Sequence, residues 1–261
     1  MTQLAAQIAQ AQALLQASQY AVALTGAGIS TASGIPDFRS PDSGLWEHAN
    51  PLEVASIYAM RHRPQDFYDW IYQLAQRTVL AQPNAAHLAL AQLEAHGPLK
   101  ALITQNIDTL HSQAGSRALF ELHGHLRTMT CLRCYEEYDS APYIAAFLRT
   151  RVVPLCPCGG VLKPNVILFG EQLPVRVLTA SKQHARACDL MLVAGSSLSV
   201  APAGDLPAMA KGNGARLIVV NYEPTHADEF ADVVIHANVT VVLPQLAAPF
   251  LAANGVDAPA G

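Results

Sequence analysis

Two amides, a carboxylate and three histidines crowd into two short stretches, Gln105-Asn106-Ile107-Asp108-Thr109-Leu110-His111 and His123-Gly124-His125. Each follows an apolar run, Leu99 to Thr104 and Ala118 to Leu122, that reads as a strand buried in a parallel sheet. Ligands of open α/β sheets bind beyond the C-terminal ends of such strands. Histidine ordinarily titrates near pH 6.5, so His123 suits a general base that must be neutral to work; His125 is its rival. Gln105 and Asn106 offer amides for orienting a polar substrate, and Asp108 can accept from a carboxamide –NH2. Alone, Asp108 also reads as a helix N-cap. A cap uses one such side chain, and this segment presents four. His111 reads as a packing residue on the following helix.

Tyr20 to Leu24 is another apolar run, followed by Thr25-Gly26-Ala27-Gly28-Ile29-Ser30. Glycines there let the backbone turn tightly and approach a pyrophosphate held on N–H groups. The fingerprint G-x-G-x-x-G is met in its first two glycines only, because Thr31 takes the third place. A plain tight turn is the competing reading. Asp37-Phe38-Arg39 favours the nucleotide: it sits on a loop where a simple dinucleotide unit would already be helical. Gly195-Ser196-Ser197, after the apolar run 189–194, is a second small-residue turn suited to a ribose or phosphate.

Four of the five cysteines come in pairs, Cys131-Leu-Arg-Cys134 and Cys156-Pro-Cys158. Four thiolates so arranged suit tetrahedral zinc in a closed structural site. Disulfides are the alternative, but neighbouring cysteines in a chain with no visible secretory leader more often hold metal. The second pair is one residue shorter than C-x2-C, and strand alternation still aims both sulfurs one way. Cys188 stands alone before an apolar strand and reads as a buried small hydrophobe.

The elements that carry these groups follow from periodicity. Apolar runs at about 20–24, 99–104, 118–122, 189–194, 216–220 and 233–235 alternate with helical patterns. This predicts an α/β fold, a Rossmann-like parallel sheet flanked by helices. Two stretches interrupt it. Residues 45–95 hold amphipathic pieces such as Ala85, His87, Leu88, Leu90 and Leu93 but no strand, and residues 126–164 hold the four cysteines. We expect a helical and a zinc-binding insertion packed together as one small domain. The large domain is then 1–44, 96–125 and 165–261, with the substrate in a cleft between the two. Leu4, Ile8, Ala11 and Leu15 predict an amphipathic first helix.

A net charge of −4 with no long Lys/Arg run argues against nucleic acid as a partner. Arg61-His62-Arg63, the densest basic spot, reads as a solvated helix face. No apolar stretch approaches the ~20 residues of a membrane span. With no leader visible, the expected location is the cytoplasm.

Several motifs together carry a family resemblance. Gly26-Ala27-Gly28-Ile29-Ser30, Gly34-Ile35-Pro36-Asp37-Phe38-Arg39, Thr104-Gln105-Asn106-Ile107-Asp108 and His123-Gly124 resemble the bacterial-type sirtuins, NAD-dependent protein deacylases. Phe169-Gly170-Glu171, Gly195 to Val200 and Val220-Asn221-Tyr222-Glu223 follow in the same order, across about residues 20–240. The resemblance implies NAD as co-substrate, structural zinc on Cys131, Cys134, Cys156 and Cys158, and acyl-lysine proteins or peptides as partners. It implies a pyrophosphate on Gly26, Ala27, Gly28, Ile29 and Ser30, near Asp37 and Arg39, with Phe38 closing over the site. Asn221, Tyr222 and Glu223 are implied for the adenosine ribose, Gly195, Ser196 and Ser197 for a ribose or phosphate, and the Val239 N–H for the adenine. Gln105, Asn106, Ile107 and Asp108 fall at the nicotinamide end.

The implied reaction breaks the nicotinamide–ribose bond as the acyl oxygen attacks, with Asn106 positioning the ribose. His123 then takes a proton from a ribose hydroxyl, and free lysine, nicotinamide and O-acyl-ADP-ribose result. The peptide is implied to enter as an added strand between Val166–Glu171 and Leu198–Val200. Val166, Phe169 and Phe38 would sheathe the lysine stem, with Gly170, Glu171, Leu198 and Val200 beside the peptide. Trp46 reads equally as a lid or a core residue.

Other readings remain open. A dehydrogenase would leave Asp37-Phe38-Arg39 and the cysteine pairs unexplained. A protein mono-ADP-ribosyltransferase would use the same fold, whereas a non-catalytic zinc-ribbon module would not need His123, Asn106 or Asp108. The acyl group also leaves a trace. Sirtuins that remove succinyl or malonyl groups carry Tyr-x-x-Arg in the helical insertion; here Tyr68 is present and Ile71 stands where the arginine should be. Uncharged acyl groups are therefore expected, and Arg77 would reach the pocket only if the helix is turned differently.

Overall fold

Residues 2–37 and 50–255 are described, from a computed structural model. In chain order the helices are α1 (Gln3–Ala17), α2 (Pro51–Val54), α3 (Ile57–His62), α4 (Pro64–Leu80), α5 (Ala85–His96), α6 (Leu110–Gln113), α7 (Ser140–Thr150), α8 (Val175–Ala187), α9 (Leu206–Gly212) and α10 (Val239–Ala253). The strands are β1 (Ala21–Thr25), β2 (Leu99–Thr104), β3 (Leu119–Glu121), β4 (Gly124–Cys131), β5 (Glu137–Asp139), β6 (Leu162–Val166), β7 (Leu190–Ala194), β8 (Arg216–Val220) and β9 (Val233–Ile235).

The six apolar runs form one parallel sheet in the order β3-β2-β1-β7-β8-β9. Strand β1 is apolar throughout because both faces are covered. Ala21 and Ala23 pack with α1, α5 and α10, whereas Val22 and Leu24 pack with α8 and α9. The chain runs outward from β1 through β2 to β3, then returns to β7 on the other side of β1. At that reversal the connections diverge and leave a crevice beyond the strand ends. Helix α1 buries Ile8, Ala11 and Leu15, while Leu4 at its start stays exposed. Among the described residues no helix is long and apolar enough to cross a membrane.

The two interruptions do pack together. Strands β5, β4 and β6 make an antiparallel sheet. Met129, Phe147 and Leu162 from that part share a core with Met60, Phe67, Tyr68 and Leu74 from α3 and α4. Helix α5 departs from the expectation that residues 45–95 form a single insertion. Its Ala86, Ala89, Leu90 and Leu93 are buried with α10 and β2 in the core of the large sheet. We therefore draw the end of the helical insertion before Asn84, since a helix belongs to whichever core takes its apolar face.

Candidate active site and metal centre

A cleft of about 1110 Å³ lies over the C-terminal ends of the large sheet and against α4. It is slightly larger than the usual ~300–1,000 Å³ of small-molecule sites. Gly26, Ala27 and Gly28 line it after β1, Gln105, Asn106 and Ile107 after β2, and His123 after β3. Gly195, Ser196 and Ser197 join after β7, Asn221, Tyr222 and Glu223 after β8, and Val239 at the start of α10. Asp37 lines it too, as do Val166, Phe169, Gly170, Glu171 and Val200.

Three expected contacts do not line the cleft: Ile29, Leu198 and Asp108, the last facing a separate small recess. Ile29 is fully buried in the core shared by α1, α5 and α10. Leu198 has a φ of 57°, which turns its side chain into the opposite core beside Ala203 and Leu206. Only the backbones of Ile29 and Leu198 are available to a ligand. Phe38, Arg39 and Trp46 lie outside the described residues.

The glycines of the first loop answer to the protein itself. Gly28 N donates to Gly195 O at 2.9 Å, so the loops after β1 and β7 touch across the switch point. A Cβ on Gly28 would stand 2.9 Å from Gly195 O, and one on Gly195, whose φ is 61°, would stand 2.4 Å from Ile29 N. Thr31 fits the third fingerprint place because no long helix starts here. Ala27–Ile29 and Thr31–Ser33 are single 3-10 turns, so the close helix–strand packing that asks for glycine is absent.

Behind this floor lies a buried polar network. Asn106 Nδ2 donates to Gly26 O at 3.0 Å and to Ser30 Oγ at 3.2 Å, which leaves its carbonyl oxygen to offer a substrate. Ser30 Oγ donates to Asp108 Oδ2 at 2.6 Å, and Asp108 Oδ1 accepts from Leu110 N at 2.9 Å. Asp108 thus closes a side-chain turn onto Leu110, while Thr109 holds the N-cap place of α6. Asp108 also faces a recess of about 20 Å³ beside Ile107, room for roughly one water. Burial raises the Asp108 pKa against the bonds from Ser30 and Leu110. Sequence reasoning assigned Ser30 to the pyrophosphate loop and missed both it and His87 as members of this buried group. Their signal was available: His87 is a polar residue on the buried face of α5, three residues after the Asn84 cap.

His87 Nδ1 accepts from Asn84 N at 3.3 Å, so Nε2 carries the proton and donates to Ser30 Oγ at 3.4 Å. Burial pushes its pKa down to about 4. His111, facing His87 with ring centres 4.8 Å apart, is lowered as well by burial and by that neighbour. A histidine depressed in the folded state stabilises the fold fully above about pH 6.5, and that stability is lost as pH falls towards 4. For His87 the loss is about 3 kcal/mol. Urea midpoints measured from pH 7.5 to 4 are expected to fall, and His87→Gln to flatten that fall by about one proton's worth. An unchanged slope in the variant would show that His87 is not held neutral.

His123 is oriented by the residue that follows β2. Its Nδ1 lies 3.0 Å from Gln105 O, an acceptor only, so Nδ1 carries the proton and Nε2 is the basic nitrogen. Gln105 is itself fixed, donating from Nε2 to Ser196 Oγ at 2.9 Å. His125 does not line the cleft. Its pKa is lowered by burial and by Arg127, which opposes protonation.

The four paired cysteines converge. Their sulfurs all lie within 4.8 Å of one another, with Cys131–Cys158 at 3.6 Å and Cys134–Cys156 at 3.7 Å. Zn–S bonds of about 2.3 Å in a tetrahedron put sulfurs about 3.8 Å apart, so the set fits zinc. Cys131 Sγ accepts from Arg133 N and Cys134 N at 3.3 and 3.5 Å, and Cys156 Sγ from Cys158 N at 3.5 Å. The short C-x-C pair is therefore no obstacle. Gly160 is required beside it, since a Cβ there would stand 2.6 Å from Cys131 Sγ.

The stretch compared with Tyr-x-x-Arg is turned differently from an alignment that aims Tyr68 towards the pocket. Tyr68 is fully buried and donates to Leu162 O at 2.6 Å. Phe67, Trp70, Ile71, Leu74 and Arg77 line the cleft instead, at helical spacing.

Comparison with known proteins gives one consistent answer. The model of the Sir2 family matches residues 26–202. NAD-dependent protein deacetylase 1 of Geobacillus kaustophilus is 49% identical over 223 residues, 85% of this chain and 89% of its own. A solved Sir2 enzyme with a deacetylated peptide and 3'-O-acetyl ADP ribose superposes with a TM-score of 0.87. It is 36% identical, over 96% of this chain and 99% of that one. Another, bound to a myristoylated histone peptide, gives 0.82 at 39% identity, over 96% and 99% of the two chains.

Proposed function

The chain belongs to the Sir2 family and is an NAD-dependent protein deacylase, and from that premise we propose how its residues divide the work. The observation that carries the proposal is His123 in the cleft, its Nδ1 proton held by Gln105 O and its Nε2 left basic. Bound NAD would supply a ribose carbon that accepts the acyl oxygen, and with one water consumed the products are lysine, nicotinamide and O-acyl-ADP-ribose. The paired glycine loops after β1 and β7 hold the pyrophosphate. Asn221 spends its amide on Glu223 O at 2.7 Å, shaping the loop whose Glu223 meets the adenosine ribose. Val239 N belongs to the first turn of α10, where backbone N–H groups have no intrahelical acceptor and can meet the adenine.

Asn106 presents its carbonyl to the reacting ribose, and His123 Nε2 takes the proton from a ribose hydroxyl. Asp108 and Ile107 receive the nicotinamide carboxamide at the mouth of their recess, which must widen to admit the ring. The zinc on Cys131, Cys134, Cys156 and Cys158 is structural, and the site of action is the cytoplasm. The peptide lies along Val166–Glu171 and the backbone of Leu198–Val200 as an added strand. Incubation with NAD and an acetyl-lysine peptide tests this by mass spectrometry: O-acetyl-ADP-ribose is expected, and ADP-ribosylated protein without it would favour the transferase reading.

Uncharged acyl groups are preferred. Phe67, Trp70, Ile71 and Leu74 give the α4 side of the cleft an apolar wall. A distal carboxylate there loses water without a cation, costing several kcal/mol, roughly. Arg77 lines the same cleft one turn beyond Leu74, and it is the cation against which this preference has to be tested. Acetyl and succinyl forms of one peptide in competition should show the higher kcat/KM for acetyl. The reverse order would overturn the preference, and its loss in Arg77→Ala would identify the cation responsible.

A further inference from the structure

Lys163 is a buried cation outside the machinery described above. It stands on β6, and its side chain is only 10% exposed. Its ammonium donates to Val166 O at 2.8 Å and Pro164 O at 3.2 Å, and pairs with Glu171 Oε2 at 3.0 Å. Three donors thus meet three acceptors, the condition for keeping an ammonium out of water. Glu171 Oε2 also accepts from Leu168 N at 2.8 Å. Oε2 of that carboxylate is therefore committed to the protein's own groups, although Glu171 still lines the cleft. Together the two side chains tie Val166, Leu168 and Glu171 to one point.

The remaining amides of this segment are fixed from the other side. Ile167 N donates to His123 O at 2.8 Å and Phe169 N to Ala55 O at 2.9 Å, while Ile57 N donates to Phe169 O at 3.0 Å. Alternate residues of an extended strand direct their backbone groups to opposite sides. The odd-numbered residues are accordingly pinned to the catalytic loop and α3, and the even-numbered ones to the ion pair. Removal of the cation leaves a carboxylate and two carbonyls without their donor, in a segment whose shape defines one wall of the cleft.

We propose that Lys163 and Glu171 are positioning residues for the acyl-peptide subsite, holding residues 166–169 in line and closing the turn from Leu168 to Glu171, so that the peptide strand and lysine stem can dock. This rests on the reading that the peptide enters along Val166–Glu171. Anisotropy of a fluorescent acetyl-lysine peptide measures its affinity without turnover, and steady-state kinetics are measured alongside. Lys163→Met is expected to weaken peptide binding and raise peptide KM by about tenfold, with kcat and NAD KM within about threefold. Lys163→Arg, which keeps a cation and donors, should restore most of the affinity. Glu171→Gln keeps an acceptor for Leu168 N but loses the charge, and should weaken the peptide by a smaller factor; it serves if Lys163→Met does not fold.

Unchanged peptide affinity in a folded, zinc-loaded variant would overturn the proposal. So would an equal rise in NAD KM, which would mark a general structural role. Wild-type protein that binds the peptide but forms no product would refute the reaction and leave the clamp standing; no binding by wild type refutes both.

Discussion

His123→Ala is expected to lower deacylation by about 10²–10⁴ while NAD affinity stays within a few-fold, the usual worth of a positioned general base. The ring is held by Gln105 O through Nδ1, and Gln105 in turn by Ser196, so the tautomer with a basic Nε2 is built into the fold. Alanine removes the base but leaves intact the glycine loops and the loop from Asn221 to Glu223, which we propose as the NAD contacts. Peptide deacylation rates and calorimetric titration with NAD check the two halves separately. Nearly full activity would remove His123 from the mechanism. His125 would be a poor substitute, since it lies off the cleft.

The second large effect concerns stability. Cys131→Ser is expected to yield unfolded or aggregated protein, not a folded inactive enzyme. Cys131 is fully buried at the end of β4, within the core shared with α4 and α7. Apparent zinc-binding free energies of structural sites run to about 10–16 kcal/mol, against a net stability of about 5–15 kcal/mol for a whole domain. Losing one thiolate of four also leaves three sulfurs crowded without the cation that reconciles their charges. Soluble yield, zinc content and a thermal melt measure this, and removal of zinc by a chelator should lower the melting temperature of the wild type. A soluble, active and metal-free Cys131→Ser protein would refute the centre.

Much of this molecule was legible before its fold was known. All six strands of the large sheet were readable as short apolar runs; the four inner ones are nearly continuous because both faces are covered, while edge strand β3 is only half-buried and carries Glu121. The cysteine pairs announced their centre for a related reason: metal ligands sit close in sequence as well as in space. His123, Asn106 and the small-residue turns stood out because each follows a strand. All of these signals are local.

What the tertiary structure alone decided involves partners far apart in the chain. Helix α5 has an apolar face that would suit either core, and only its packing on α10 assigns it to the large sheet. Gly28 and Gly195 must both be glycine because two loops touch, a contact made only once β7 pairs with β1. Tyr68 and Ile71 are one helical turn apart, and the rotation of α4 buries one while presenting the other to the cleft. Ile29 and Leu198 stand within the right motifs yet point into cores. The amino-acid sequence by itself determined the strands, the metal ligands and the chemistry offered at each strand end, since these depend on residue type and short spacing. The fold decided which side chains face the cleft and which hold its walls, because orientation is set by long-range packing that no short window of sequence contains.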